Sequence, residues 1–145
     1  MKYRAAETSD VRALKPKKRS KMRNRRCVSD GISFDSEKEA ARWTLLRIMQ
    51  ERGEICALQR QCTFVLGTYD ENGHFQEFKS HTGRKMTYDA DFAYNKNGRE
   101  IYEDVKPSYK TRKAEKRYKA TDQYRRFWLK KCIVEAAYSV IINEV

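Results

Sequence analysis

No stretch of this chain stays apolar for long. It has no secretory hydrophobic region and no run approaching the roughly 20 apolar residues that a membrane-crossing helix needs. The expectation is a cytoplasmic protein with no membrane partner. Paired cysteines are missing too. Cys27, Cys56, Cys62 and Cys132 form no Cys-x-x-Cys unit. That speaks against structural zinc or a disulfide framework, and for buried free thiols in a reducing compartment. Histidine is scarce. His74 and His81 have no Cys or second His at ligand spacing, so they read as solvated loop residues. No internal repeat is visible. The apolar share is only 39%, and much of it is Tyr, Phe and Trp. The 145 residues suffice for one domain with a real core.

Charge of one sign, by contrast, is abundant. The net charge is +12, and it is unevenly placed. Residues 1–26 hold eleven Lys/Arg against two acids, and residues 106–131 hold the same numbers. The remainder is net acidic. Two basic blocks around an acidic centre suit a polyanion gripped from the sides, with cations held in the middle. A soluble domain with a basic tail is the plainer reading. It accounts for the first block better than the second.

Residues 1–26 lack apolar periodicity and carry the clusters around Lys17, Lys18 and Arg19 and around Arg25 and Arg26. They read as a basic, disordered arm with phosphate affinity, and residues 27–145 as the folded domain. Cys27 to Phe34 reads as a strand or hairpin edge around Asp30-Gly31. Asp35 or Ser36 then caps a helix that runs to about Arg52, with Gly53 as its stop. Ala40, Trp43, Leu46 and Met49 recur near helical spacing and should face the core. Leu58 to Leu66 reads as a strand, and residues 67–85 as a loop or exposed hairpin. One helix is expected from Lys110 to about Cys132, with Ala114, Tyr118, Thr121, Tyr124 and Trp128 on its apolar face. Tyr138 to Val145 should be a last strand. Helix, strand, hairpin, helix and strand in this order predict an α/β core with a mixed sheet.

The most informative stretch is Tyr88 to Lys106. Two β-rich runs flank Asn97-Gly98, a strong hairpin signal. Strand alternation puts Asp89 and Asp91 on one face of the first run, and Asp104 and Lys106 on one face of the second. Pairing the runs brings Asp91 near Asp104, with Lys106 one step on. Adjacent carboxylates repel, a cost that a divalent cation removes. A lysine beside them can position water or phosphate, which outlines a metal-dependent phosphodiesterase. The alternative is an exposed hairpin with its charges on the wet face. For Glu39, three residues after Ser36, the alternative is the back-bonding member of a capping box.

Taken together, Ser36-x-x-Glu39, Tyr88-x-Ala90-Asp91-Phe92 and Glu103-Asp104-Val105-Lys106 resemble the PD-(D/E)xK nuclease superfamily. The run from Asp30 to Arg42, with Gln61 and the hairpin, is most similar to small phage-encoded proteins of that superfamily. The likeness covers roughly residues 28–145. It departs from the pattern at Ala90, where the superfamily has proline, and at Pro107, where the phage proteins often have glycine.

The resemblance implies a restriction-endonuclease-like core, a mixed central β-sheet flanked by helices. It implies a Mg²⁺- or Mn²⁺-dependent endonuclease acting on DNA in a bacterial host's cytoplasm, with branched or four-way-junction DNA and a homodimer among the expectations. No small-molecule cofactor is implied. Glu39, Asp91, Asp104 and Lys106 would be the catalytic set. Asp91, Asp104 and the Val105 carbonyl would ligate metal, with Glu39 holding water or a second ion. Gln61, Glu103 and Asp89 are possible site neighbours, and a bulge would exchange Glu103 for Asp104 as ligand. Lys110, Arg112, Lys113, Lys116 and Arg117 would grip the backbone near the scissile phosphate, joined by Lys17, Lys18, Arg19, Arg25 and Arg26 of the arm. The rival from another class is a non-catalytic basic nucleic-acid-binding protein of a phage replication or recombination complex.

Overall fold

Two adjacent residues at positive φ, Asp30 (52°) and Gly31 (74°), reverse the chain near the start of what the computed structural model describes, residues 26–145. Tight two-residue hairpin turns need left-handed backbone at both positions, which Asp and Gly tolerate. This turn joins β1 (Cys27–Ser29) to β2 (Ile32–Phe34). Ser36 then caps α1 (Glu37–Glu51), its hydroxyl accepting from the Glu39 amide at 3.2 Å. The helix stops at Arg52, followed by Gly53 at φ 72°. Ala40 and Leu46 of α1 are buried, with Trp43 and Met49 packed against the same cluster.

The chain continues through β3 (Cys56–Val65), the small hairpin of β4 (Gly67–Tyr69) and β5 (Phe75–Glu77), then β6 (Thr87–Lys96) and β7 (Arg99–Asp104). Asn97 and Gly98, at φ 53° and 75°, make the β6–β7 turn. After it come α2 (Arg112–Lys119), α3 (Asp122–Tyr138) and β8 (Ile142–Glu144). The central sheet has the order β3-β6-β7-β8. Its first two pairings are antiparallel and the last is parallel, so the fold is mixed α/β with a mixed central sheet. No helix among the described residues is long and apolar enough to cross a membrane.

Two apolar clusters sit on the sheet. One joins Phe34, Ala40, Leu46, Phe92 and Tyr94, and Ile101 packs against it. The other joins Phe64, Leu66, Tyr88, Ala90, Val134 and Ile142, and Tyr102 packs against it. Ile101 and Tyr102 are neighbours on β7, and successive strand residues face opposite ways. So α1 covers one face of β7 and α3 the other. Along β6 the assignment changes: Tyr88 and Ala90 belong to the α3 side, Phe92 and Tyr94 to the α1 side. β3 changes in step, since Cys62 pairs with Ala90 and Arg60 with Phe92. Between them Gln61 adopts φ 50°, opposite Asp91. The sheet therefore switches faces at the Gln61–Asp91 level.

Four expectations need correction. The single helix from Lys110 is two, broken at Ala120-Thr121. The Thr121 hydroxyl accepts from the Tyr124 amide at 3.2 Å and donates to the Tyr118 carbonyl at 2.7 Å, so it caps a new helix instead of continuing the old one. The break resets the helical phase. Phe127 and Val134 turn to the core, and Trp128 is left 54% exposed. The last strand is shorter than expected, because Tyr138 still belongs to α3. All four cysteines are free, but Cys56 is exposed and the other three are only half-buried.

Candidate active site

Phe92 pairs with Glu103 across the β6–β7 ladder, so the next step outward sets Asp91 opposite Asp104. Both line a cleft of about 720 Å³ at the end of the sheet. The other walls are the first turn of α1 (Ser36 to Glu39), the segment from Val105 to Ser108, Lys110, Tyr118 of α2 and Gln123 of α3. The cleft thus gathers Glu39, Asp91, Asp104 and Lys106, contributed by one helix end, two strands and the segment that follows β7.

The carboxylates are held by donors of different kinds. Asp91 accepts the Val105 amide at 2.6 Å. Asp104 accepts the Tyr88 hydroxyl at 2.7 Å on one oxygen and pairs with the Lys106 ammonium at 2.5 Å on the other. Lys106 also lies over the Phe127 ring, 3.0 Å from its centroid, in cation–π contact. Burial pushes the Asp91 carboxyl up to about 7. The Val105 N–H bond and the Lys106 charge oppose that rise, while the charges of Asp104 and Glu39 add to it. Burial and the charge of Asp104 also raise the Tyr88 phenol far above its ordinary range, so Tyr88 stays a donor.

Glu39 occupies the third position of α1. Its carboxylate accepts from the Ser36 hydroxyl at 3.1 Å, not from the Ser36 amide as a complete capping box requires. Half of the box is present and the carboxylate still faces the cleft. One turn later, Arg42 binds Glu103.

The three possible neighbours lie elsewhere. Glu103 is 2% exposed and points to the α1 side. Arg42 grips both its oxygens, with Nε donating to Oε2 at 2.8 Å, and the Tyr94 hydroxyl donates at 2.6 Å. Glu103 is an internal tie between β7 and α1, and regular alternation leaves Asp104 at the cleft. Asp89 is exposed and accepts from the Thr63 hydroxyl at 2.6 Å. The face switch separates it from Asp91, where uniform alternation put the two together. Gln61 stands across the ladder from Asp91 but is exposed and does not line the cleft.

Among the basic residues, Lys110 lines the cleft, and Arg112, Lys113, Lys116 and Arg117 are exposed on α2. Arg26 is exposed and pairs with Asp35 at 3.4 Å. Lys17, Lys18, Arg19 and Arg25 lie outside the described residues. His74 and His81 are exposed.

Several residues that hold the cleft's side chains in place escaped the sequence reading. The Lys38 ammonium donates to the Lys106 carbonyl at 2.6 Å, tying α1 to the lysine strand. Its place beside Glu39 in the first helical turn was a usable signal. Tyr88 stands three positions before Asp91, so alternation sends it to the other face, and only the face switch brings it to Asp104. Phe127 was hidden by the misplaced helical phase.

Carboxylate oxygens are the donors a hard divalent cation takes, and Glu39, Asp91 and Asp104 all line the cleft. Burial first, and the charges of Asp104 and Glu39 after it, raise the Asp91 carboxyl, and a bound cation would offset both. At present the Lys106 ammonium neutralises Asp104. Among the described residues no three acidic, His or Cys side chains already stand at common ligand spacing.

Fold and cleft together define a mixed α/β domain with a carboxylate pair and a lysine at one end of its sheet. The chain belongs to the family described as "Protein of unknown function (DUF1064)", which matches residues 19–139. No curated protein and no solved structure matches it.

Proposed function

We propose that the protein is a metal-dependent endodeoxyribonuclease of the PD-(D/E)xK superfamily, with a restriction-endonuclease-like core. The observation that carries this reading is the convergence of Asp91, Asp104, Lys106 and Glu39 on one cleft beside an exposed basic helix. A structural hairpin has no need of a carboxyl held at about 7 next to a second carboxylate. Asp91, Asp104 and the Val105 carbonyl would hold Mg²⁺ or Mn²⁺, with Glu39 at its edge. Such an ion, when bound, polarises a phosphoryl oxygen. Lys106 orients the attacking water and offsets charge on the phosphate. Phe127 and Asp104 fix where its ammonium stands. Glu39 holds the water from the α1 side. Lys110 and the exposed lysines and arginines of α2 take the flanking phosphates. Branched DNA in phage DNA processing, cut by a homodimer, is the substrate and assembly proposed.

The test is a cleavage panel over linear, flapped and four-way-junction DNA with Mg²⁺, Mn²⁺ or EDTA. Metal-dependent cleavage of at least one substrate, lost in Asp104→Ala, is expected. The Lys106–Asp104 pair favours one rival, a non-catalytic nucleic-acid-binding protein. Tight binding without cleavage in every metal arm would establish that rival.

A further inference from the structure

Beside the cleft lies a second cavity of about 410 Å³, which shares Lys38, Lys106 and Tyr118 with it. Three half-buried tyrosines line it. The ring centroids of Tyr109 and Tyr118 are 5.3 Å apart with planes inclined at 34°. Those of Tyr118 and Tyr124 are 5.4 Å apart, edge to face. The Tyr109 hydroxyl is buried and meets no full hydrogen-bond geometry among the described residues, with the Tyr118 phenol close enough to interact with it. Buried polar groups are nearly always paired. One left unpaired beside a cavity points to a partner that comes from outside. Docking α2 onto α3 accounts for Tyr118 meeting Tyr124. It does not account for the cavity or for the unpaired hydroxyl.

The tyrosines and lysines gathered here suit a nucleotide, and the two acids of the same lining are already bonded, Glu115 to Lys119 and Glu144 to Lys131 and the Tyr124 hydroxyl. Aromatic faces stack on bases of any identity. A lone phenol can bond a base edge. Lys38 and Lys106, common to both cavities, supply charge for the phosphate between them. We propose that the second cavity takes one unpaired nucleotide of a DNA strand whose adjacent phosphate lies in the cleft. The proposal deepens the nuclease reading and rests on it. A paired base is stacked and cannot enter without being extruded, which costs unstacking and unpairing energy. The cavity therefore selects strands with unpaired positions: flaps, single strands and open branch points.

Photo-cross-linking tests this independently of cleavage. Oligonucleotides carrying 5-iododeoxyuridine, either unpaired in a flap or fully paired, are irradiated with the full chain in EDTA, and cross-linked residues are mapped by mass spectrometry. Cross-links to Tyr109, Tyr118 or Tyr124 from the unpaired probe, and few from the paired one, are expected. Cross-links only to other aromatics, or equal yields from both probes, would overturn the proposal. Affinity for a single-stranded oligonucleotide gives a second readout. Tyr118→Leu should lose about tenfold, in line with one stacked base. Tyr109→Phe, which removes only the hydroxyl, should lose less but measurably. Trp128→Leu, an exposed aromatic one turn further along α3 that does not line the cavity, should lose nothing. Unchanged affinity in both tyrosine variants would also overturn it. Cross-linking to these tyrosines without cleavage under any metal would leave the subsite standing and defeat the nuclease reading alone.

Discussion

At the scale of single residues, the half-buried Asp91 and the buried Glu103 show how differently two acids are used. Asp91 holds its proton up to about 7, well above its ordinary 3.8. Between those values the folded protein binds more protons than the unfolded chain, so its stability falls as pH rises through that window. The slope is at most roughly 1.4 kcal/mol per pH unit. In EDTA, melting temperature should drop from pH 4 to pH 7, and Asp91→Asn should flatten that drop. No difference in slope between the wild-type and Asp91→Asn curves across the window would contradict the assignment. Glu103 is instead matched, with Arg42 on both its oxygens. Arg42→Met strands its carboxylate in the interior and should cost about 3 kcal/mol in urea unfolding. Glu39 divides two roles. Glu39→Gln keeps an acceptor for the Ser36 hydroxyl, so melting should change little. Turnover under saturating metal should nonetheless fall by orders of magnitude if charge is what the cleft uses. Near-normal turnover with normal melting would reduce Glu39 to a helix cap. The separation of Glu103 from Asp104 was legible in the sequence, because β7 alternates regularly. The separation of Asp89 from Asp91 was not, because nothing in residues 58–66 announces a left-handed backbone at Gln61.

At the scale of elements, caps and turns were read well and tertiary phase was not. Ser36, Gly53, Asp30-Gly31 and Asn97-Gly98 act locally, through their own φ angles and hydrogen bonds, so sequence alone exposes them. The α2–α3 break depends on a threonine, which is tolerated inside helices as well as at their caps. Its role is decided by what α3 packs against. Thr121→Ala removes the acceptor for the Tyr124 amide and should cost about 1 kcal/mol, measurable in thermal or urea unfolding. The β4–β5 hairpin carries a sharper constraint. A Cβ on Gly67 would collide with the Gln76 carbonyl and the Phe75 ring, so Gly67→Ala should be more damaging than a helix-cap loss. Equal stability of Gly67→Ala and wild type would mean that the hairpin can part from its neighbour without loss.

At the scale of the whole molecule, charge and order of elements gave the class, a mixed α/β domain with a basic flank. The parallel placement of β8 beside β7 did not follow from them, since three strand residues carry too little pattern to fix an orientation. Deleting residues 1–26 removes +9 of formal charge. Affinity for DNA should fall and its dependence on salt should flatten, while cleavage at low salt persists. An unchanged slope of log affinity against log salt would show that the arm makes no phosphate contact. The position of β8 also bears on how the protein is made. The Val145 amide donates to the Asp104 carbonyl at 3.0 Å, and the Val145 carbonyl accepts from the Lys106 amide at 2.7 Å. The strand end bearing the acid and the lysine is therefore clasped by residues translated long after it, as is the Phe127 ring that seats Lys106. Such non-local closure comes late in folding. A nascent chain that has already exposed Asp91, Asp104 and Lys106 outside the ribosome still lacks what holds them in place. Under the nuclease proposal, such a chain cleaves no nearby nucleic acid until synthesis has passed β8.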